Sequence, residues 1–292
     1  MVFGWIGAKG ARDEEVAATR ARIPASLWAQ TMAAYPFLAM LDPDEREALH
    51  ARVAWLLASK TINGAAGLDV DDGMRLAIAA QACLPILWLS PARYAGWEEI
   101  IVYPSGFMVR REAQDEAGVV HDYMEEASGE AWEGGPLILS WADAQAGGEA
   151  TAPAGYNVVI HEFAHKLDLD GGHADGVPDL SAHRPLDSRV WRRTLARNFD
   201  AFVDMVERVE AAIPADVDPE TDAADAWYGQ LPLDPYAATD EAEFFAVSSE
   251  HFFVDPAPLA EALPEWYALL ATYYRQDPLA RMAAAGLMPT QP

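Results

Sequence analysis

The chain carries one cysteine, Cys83, in 292 residues. A lone thiol can neither close an internal disulfide nor build a cysteine-based zinc cluster, which excludes disulfide scaffolds and zinc-ribbon folds. Basic residues are scarce as well: 20 Lys and Arg stand against 46 Asp and Glu, a formal net charge of −26. A field of that sign repels phosphate backbones and anionic lipid, so neither direct nucleic-acid binding nor membrane attachment is expected. Long hydrophobic runs are missing too. The longest, Leu76 to Leu89, is interrupted by Gln81 and Pro85. It falls short of the roughly 20 apolar residues that cross a bilayer and reads as a core segment. The opening MVFGWIGAKGARDEE lacks the apolar stretch of a secretory signal, so a cytoplasmic protein is expected.

What is present suits a folded chain. Hydrophobic residues make up 51%, enough for a sizeable core and too many for a disordered polymer. No repeat period stands out. The first clear element follows Leu41-Asp42-Pro43-Asp44-Glu45, where Asp42 can cap, Pro43 suits the first turn and Glu45 can close a capping box. Leu49, Val53, Leu56 and Leu57 then line one face of a helix ending near Lys60. A second helix is predicted from Asp72 to Leu84, stopped by Pro85. Strand character follows at Glu99–Tyr103 and Pro136–Trp141, separated by an acidic, Gly-punctuated stretch, Glu112–Gly135, that reads as loop. Further helices are predicted over Asn157–Asp168, Asp187–Ile213, Asp240–Val254 and Pro264–Gln276, with an acidic loop at Pro214–Asp225. Mostly helix with a small sheet is an α+β pattern rather than alternating βαβ units.

One segment carries chemistry: Val158-Val159-Ile160-His161-Glu162-Phe163-Ala164-His165-Lys166-Leu167-Asp168. It contains H-E-x-x-H and no Pro or Gly. On a helix, His161 and His165 fall one turn apart on one face and can offer two nitrogens to a tetrahedral Zn²⁺. Glu162 lies about 100° around the helix, where it can take a proton from a water that the metal polarises. The alternative is a helix whose histidines make ordinary hydrogen bonds. However, the apolar residues around them predict burial, and buried imidazoles and carboxylates need partners.

A catalytic zinc needs a third protein ligand and an open position. The pattern with a third histidine six residues after the second fails, because that position is Gly171; His173 comes two places late and His183 sits in a loop. A carboxylate from a later helix is the other solution, and Glu241, Glu243 and Glu250 are candidates. Spacing does not choose among them. Glu243 and Glu250 share a helix face, so one can be a ligand and the other its partner, while Asp240-x-x-Glu243 also reads as a capping box. A purely structural zinc would require four protein ligands, often Cys, which the chain does not supply.

HEFAHKLD, followed by DGGHADGVP and then by LDPYAATDEAEFFAVSSEHFF, resembles the Mlc titration factor A family of zinc peptidases, a family related in its catalytic part to the anthrax lethal factor protease domain. The likeness extends back through Tyr35-Pro-Phe-Leu38 and the Asp42–Lys60 helix. It implies that His161, His165 and Glu243 bind zinc, that Glu162 is the general base, and that Tyr236 hydrogen-bonds the oxyanion of the tetrahedral intermediate. It also implies a mostly helical, zincin-like α+β fold with a small β-sheet beside the HExxH helix. A single domain over residues 1–292 is expected, with a helical N-terminal part at 20–90 and a catalytic part at 95–280. Peptidase activity, with aminopeptidase action on small chromogenic substrates, is the implied function. The second function implied is binding of a transcriptional repressor of the Mlc type, with a gated or vestigial zinc site.

Around the motif, the strand Leu137–Trp141 reads either as the edge beside which an extended substrate pairs or as an ordinary core strand. Asp168 and Asp170 can orient a ligand imidazole or hold the following loop, the second being preferred for Asp170. Trp88, Trp141 and Trp227 read as core or cleft-wall aromatics.

Overall fold

Four helices, α1 (Phe3–Arg22), α2 (Ala25–Ala34), α3 (Pro36–Ala39) and α4 (Pro43–Ser59), open the computed structural model, which describes residues 3–114, 120–148, 154–219 and 221–287. The capping box at α4 forms as its sequence predicts: Glu45 N donates to Asp42 Oδ1 at 2.8 Å, and Asp42 N donates to Glu45 Oε2 at 3.0 Å. Leu49, Val53 and Leu56 are buried and Leu57 is half-buried. The helical part expected at 20–90 includes α2 and α3, though the bounds of the three helices before Leu41 were not legible from the residues. α1 is tied to α4 through polar contacts, with Arg20 donating to Glu47 and to His50 Nδ1, and polar anchoring leaves no apolar period to read.

β1 (Thr61–Gly64) and α5 (Asp72–Cys83) follow. Asp71 caps α5 by accepting from Met74 N at 2.8 Å. The Leu76–Leu89 run is core except for Trp88, which is exposed, and Cys83 is buried within it. Next come β2 (Glu99–Tyr103), β3 (Phe107–Gln114), β4 (Val120–Ala127), β5 (Gly129–Ala131) and β6 (Leu137–Ser140). The main sheet has the order β1-β2-β6-β5; β1, β2 and β6 run parallel, and β5 pairs antiparallel to β6 with Gly129 opposite Leu139.

Two expectations are corrected here. The stretch Glu112–Gly135 is not loop throughout: β3 and β4 form an antiparallel ribbon in register from Phe107↔Ala127 to Gln114↔Val120, and β5 comes immediately after it. Residues 115–119 lie outside the described residues. The two strands pair half of their backbone groups with each other, an order set by the main chain rather than by an apolar run. The second concerns Leu137–Trp141, where the ordinary core-strand reading holds and the substrate-edge reading is corrected. β6 is an interior strand, β5 is the outer one, and Trp141 starts a helix.

The remaining helices are α6 (Trp141–Ala146), α7 (Val158–Asp170), α8 (Ser188–Glu210), α9 (Asp225–Tyr228), α10 (Glu241–Val254), α11 (Pro256–Ala262), α12 (Pro264–Tyr274) and α13 (Pro278–Ala284). In the Pro214–Asp225 stretch, turns and a short 3-10 segment at Asp222–Ala224 replace the plain loop, residue 220 being outside the described set. One connected cluster of buried side chains runs from Met32 on α2 to Tyr274 on α12. Trp191, Phe245, Trp266 and Tyr273 pack in it edge to face, with Trp191 and Trp266 centroids 5.3 Å apart. That block joins α8, α10 and α12. Among the described residues, no helix is long and apolar enough to cross a membrane. The outcome is a mostly helical α+β fold with a small mixed sheet beside α7.

Candidate metal centre

α7 starts where Asn157 caps it. The Asn157 Oδ1 accepts from Ile160 N at 2.9 Å, and its Nδ2 donates to Gln81 Oε1 at 2.8 Å, so the cap is anchored to α5. Val158, Val159, Ile160, Phe163, Ala164 and Leu167 are all buried, and burial of that face fixes the direction in which the polar face points. His161 and His165 emerge one turn apart, with their Nε2 atoms 3.1 Å from each other.

α10 brings the carboxylates. Asp240 caps it, with Oδ1 accepting from Ala242 N and Glu243 N at 2.9 Å each. Glu243 therefore has its backbone capped while its side chain turns to the histidines: Oε2 is 3.1 Å from His161 Nε2 and 3.3 Å from His165 Nε2. Ligand atoms of His161, His165 and Glu243 all lie within 4.8 Å of one another, the group of this kind found among the described residues. Seven residues on, Glu250 accepts from His161 Nδ1 at 2.8 Å through Oε1, and from Asn157 N through Oε2. One carboxylate of α10 thus faces the converging nitrogens, and the other sets the tautomer and ring orientation of His161 from behind. Glu241, the third candidate, is not in the cluster.

Burial alone would lower the His161 pKa. The hydrogen-bonding carboxylates of Glu243 and Glu250 overcome that and raise it well above the usual value. For Glu243 burial acts upward, yet the two imidazoles hold its carboxyl below the ordinary range. Glu162 is buried, and that burial raises its pKa despite both histidines. Two buried oxygens lack an ordinary partner: Glu162 Oε2 meets no hydrogen-bond donor, and Glu243 Oε2 meets only the two imidazole nitrogens, at 3.1 and 3.3 Å. A Glu243 oxygen facing two imidazole nitrogens fits a bound divalent cation: the donor set is two N and one O, as in catalytic zinc sites, with a position left for solvent or substrate.

The rest of the cleft wall comes from segments without sequence signals. Gly129 on β5 lies so close to Glu162 that a Cβ at 129 would fall 2.3 Å from Glu162 Oε1 and 2.5 Å from its Cγ. An isolated Gly in a strand is the signal that could have been read, since it marks close backbone approach. Lys166 Nζ donates to Trp132 O at 2.6 Å and Gly135 O at 3.0 Å, tying the β5–β6 turn to α7. Tyr236 sits on a 3-10 turn, Pro235–Ala238, whose start is capped by Asp234 accepting from Tyr236 N at 2.8 Å. Its ring is 50% exposed, with its centroid 6.3 Å from that of His161, at the rim of the same cavity.

The other candidates find structural roles. Asp168 accepts from Gly176 N at 2.7 Å and so holds the Gly/Asp-rich loop; burial pushes its carboxyl up to about 7. Asp170 pairs with Arg93 at 3.0 Å, as the loop-holding alternative requires. His183 packs on Tyr273, centroids 5.0 Å apart, and His173 is exposed. Trp141 and Trp227 are half-buried; Trp88 is exposed, against expectation.

A family model described as glucose-regulated metallo-peptidase M90 matches residues 9–275. The chain is 36% identical over 248 residues to a Mlc titration factor A of Yersinia enterocolitica, covering 85% of this chain and 84% of that protein. It is 37% identical over 256 residues to a Mlc titration factor A of Serratia proteamaculans, covering 87% and 88%. With the family model spanning nearly the whole sequence and relatives aligned along most of both chains, this chain belongs to the glucose-regulated metallo-peptidase M90 family.

Proposed function

We propose that the chain is a zinc-dependent peptidase in which His161, His165 and Glu243 hold the metal. The observation that carries this reading is the convergence of three ligand atoms within 4.8 Å next to a buried Glu162 oxygen that no donor satisfies. Zinc bound there supplies Lewis-acid polarisation of the substrate carbonyl and lowers the pKa of water from about 15.7 to roughly 7. Glu162, desolvated and raised in pKa, takes the proton of the attacking water and passes it to the leaving amine. Tyr236, at the rim, donates its phenolic proton in a hydrogen bond to the oxyanion as the carbonyl becomes tetrahedral. Glu250 keeps His161 oriented. An extended substrate adds to the outer edge of β5, main chain to main chain, which carries its scissile bond past Gly129 and Glu162.

The reaction belongs to a single zincin-like domain over residues 1–292, and aminopeptidase action on short aminoacyl chromogenic substrates is its simplest form. A cytoplasmic setting suits a chain whose lone cysteine is buried and unpaired. Metal analysis combined with hydrolysis assays tests the reading. Near-stoichiometric zinc, turnover abolished by phenanthroline and turnover lost in Glu162→Gln with zinc retained are the expected results. Full turnover in Glu162→Gln removes Glu162 from the mechanism.

The names of the relatives favour a second reading, a regulator that binds a transcriptional repressor of the Mlc type. The large negative charge suits a partner with a basic surface. Capture of such a repressor by both wild type and Glu162→Gln, with no hydrolysis of any peptide, would support binding alone.

A further inference from the structure

The cavity at the metal centre does not end at His161 and Glu162. Of about 260 Å³ in all, it extends between the start of α7, the β4–β5 junction and α10, where Ala127, Tyr156, Val158, Val247 and His251 form its walls, with Asp234 also lining it. His251 is the unusual group. It is 6% exposed, and its Nδ1 meets no hydrogen-bond partner. The ring is seated against Gly155, whose φ of +80° is a left-handed conformation and whose missing Cβ would stand 2.3 Å from the imidazole. Burial pushes its pKa down to about 4, so the wall is neutral at physiological pH.

We propose that this cavity is the pocket for a substrate side chain next to the scissile bond, that it takes an uncharged side chain up to about the size of a phenyl ring, and that Val247 and His251 set this preference. The inference rests on the peptidase reading. Size follows from volume: a cavity of roughly 150 Å³ accommodates benzene, and part of the 260 Å³ here lies over His161 and Glu162, where the scissile group must sit. Charge follows from the lining. An acidic side chain would face Asp234, Glu162 and Glu250, and among the described residues no Lys or Arg lines the cavity. A basic one would meet Asp234 and Glu162, but Asp234 caps the Tyr236 turn and Glu162 is kept for the proton of the attacking water. Both Glu250 oxygens are bonded, to His161 and to Asn157 N, and the cation would lose its hydration against Val158 and Val247. An uncharged side chain avoids both costs.

The test uses zinc-loaded full-length protein and internally quenched peptides whose residues flanking the cleaved bond are varied among Ala, Leu, Phe, Trp, Glu and Lys. Leu and Phe peptides should exceed Glu and Lys peptides in kcat/KM by about 10–200-fold, the range over which pocket contacts discriminate. Val247→Phe, which fills the pocket, should reduce the Leu-to-Ala ratio by a similar factor. Val247→Ala, which creates only space, should move the optimum toward Trp, and His251→Asp should raise Lys relative to Leu. Chelator-sensitive hydrolysis with the same ranking in all three variants overturns the pocket and leaves the peptidase reading standing. Absence of chelator-sensitive hydrolysis of every peptide overturns both.

Discussion

The helical side of the cleft and the strand side reach their positions by different means. On α7 and α10, side chains do the positioning: Asn157 caps the helix, Glu250 grips both His161 and the Asn157 amide, and Glu243 closes on two imidazoles. On β5 the backbone does it. Gly129 sits opposite Leu139 and leaves room for Glu162 by having no side chain at all. The metal cluster is thus written in residue types at helical spacing, whereas the opposite wall of the cleft, where we propose substrate lies, is written in main-chain geometry and in an absent Cβ. Substitutions on the two sides should therefore fail differently. Helix-side changes should remove a chemical function with little effect on substrate alignment, and strand-side changes should misplace an intact one.

The largest effect expected on the helical side is that of Glu162→Gln. A positioned general base contributes about 10²–10⁴-fold, so kcat should fall by that range with KM and zinc content nearly unchanged. Because the variant also replaces a buried carboxylate that has an orphaned oxygen, thermal unfolding should show equal or higher stability. Loss of zinc together with activity would mean that Glu162 supports the metal rather than the proton transfer. Tyr236→Phe should come next, lowering kcat by about 10²–10³-fold, the usual loss of one oxyanion donor. With its ring 50% exposed, the melting temperature should not move. A KM effect alone would reassign Tyr236 to substrate binding.

Gly129→Ala examines the strand side. Its Cβ would overlap Glu162 Oε1, Cγ and Cδ, at 2.3, 2.5 and 2.7 Å, so the carboxylate or the strand must yield. Misplacement by about 1 Å can cost around 10²-fold in rate, and overpacking about 1–3 kcal/mol in stability. Zinc should remain bound, and the pH profile of the residual activity should shift, because the carboxylate that titrates has changed its surroundings. Wild-type kinetics would show that β5 does not constrain Glu162.

His251 gives a stability test that does not depend on turnover. Its pKa is about 4 in the folded protein, lowered by burial, against roughly 6.5 unfolded. A depressed folded value means that the unfolded chain binds more protons between these limits. Stability is therefore complete above about pH 6.5 and is lost as pH falls toward 4, by about 2 kcal/mol at pH 4.5. In His251→Leu the difference in unfolding free energy between pH 7 and pH 4.5 should shrink by that amount. An unchanged difference would place the titration elsewhere.

The same contrast explains what could be read in advance. H-E-x-x-H and the paired Glu243 and Glu250 were legible because a helix turns fixed spacing into a shared face, and the α4 capping box because it is a local hydrogen-bond pattern. The choice of Glu243 over Glu241 and Glu250 was not legible from spacing and came only with the family resemblance. It depends on how α10 docks against α7, where Glu250 bonds His161 and the Asn157 amide and Glu243 reaches both imidazoles. The β3–β4 ribbon was missed because its strands mix charged and apolar residues without a clear alternation and are held by backbone pairing, and β5 because it is only three residues long. Interior against edge, for β6 and β5, is a property of the sheet and not of either segment.

Glu250→Gln should have the mildest effect on the chemical step. Glu250 is buried, with one oxygen on His161 Nδ1 and the other on the Asn157 amide. A glutamine keeps the shape but has a single acceptor, so either the imidazole or the α7 cap loses its partner, and an amide N–H is set against another donor. The loss falls on orientation and basicity of a ligand nitrogen, which typically weakens metal binding by about 10–100-fold. Competition with a chelator should reveal that weakening directly. At saturating zinc, kcat should return close to the wild-type value, because the groups that move protons are untouched. If activity stays low in excess zinc while metal occupancy is full, Glu250 belongs to the reaction itself, and the division of labour between the two carboxylates of α10 has to be redrawn.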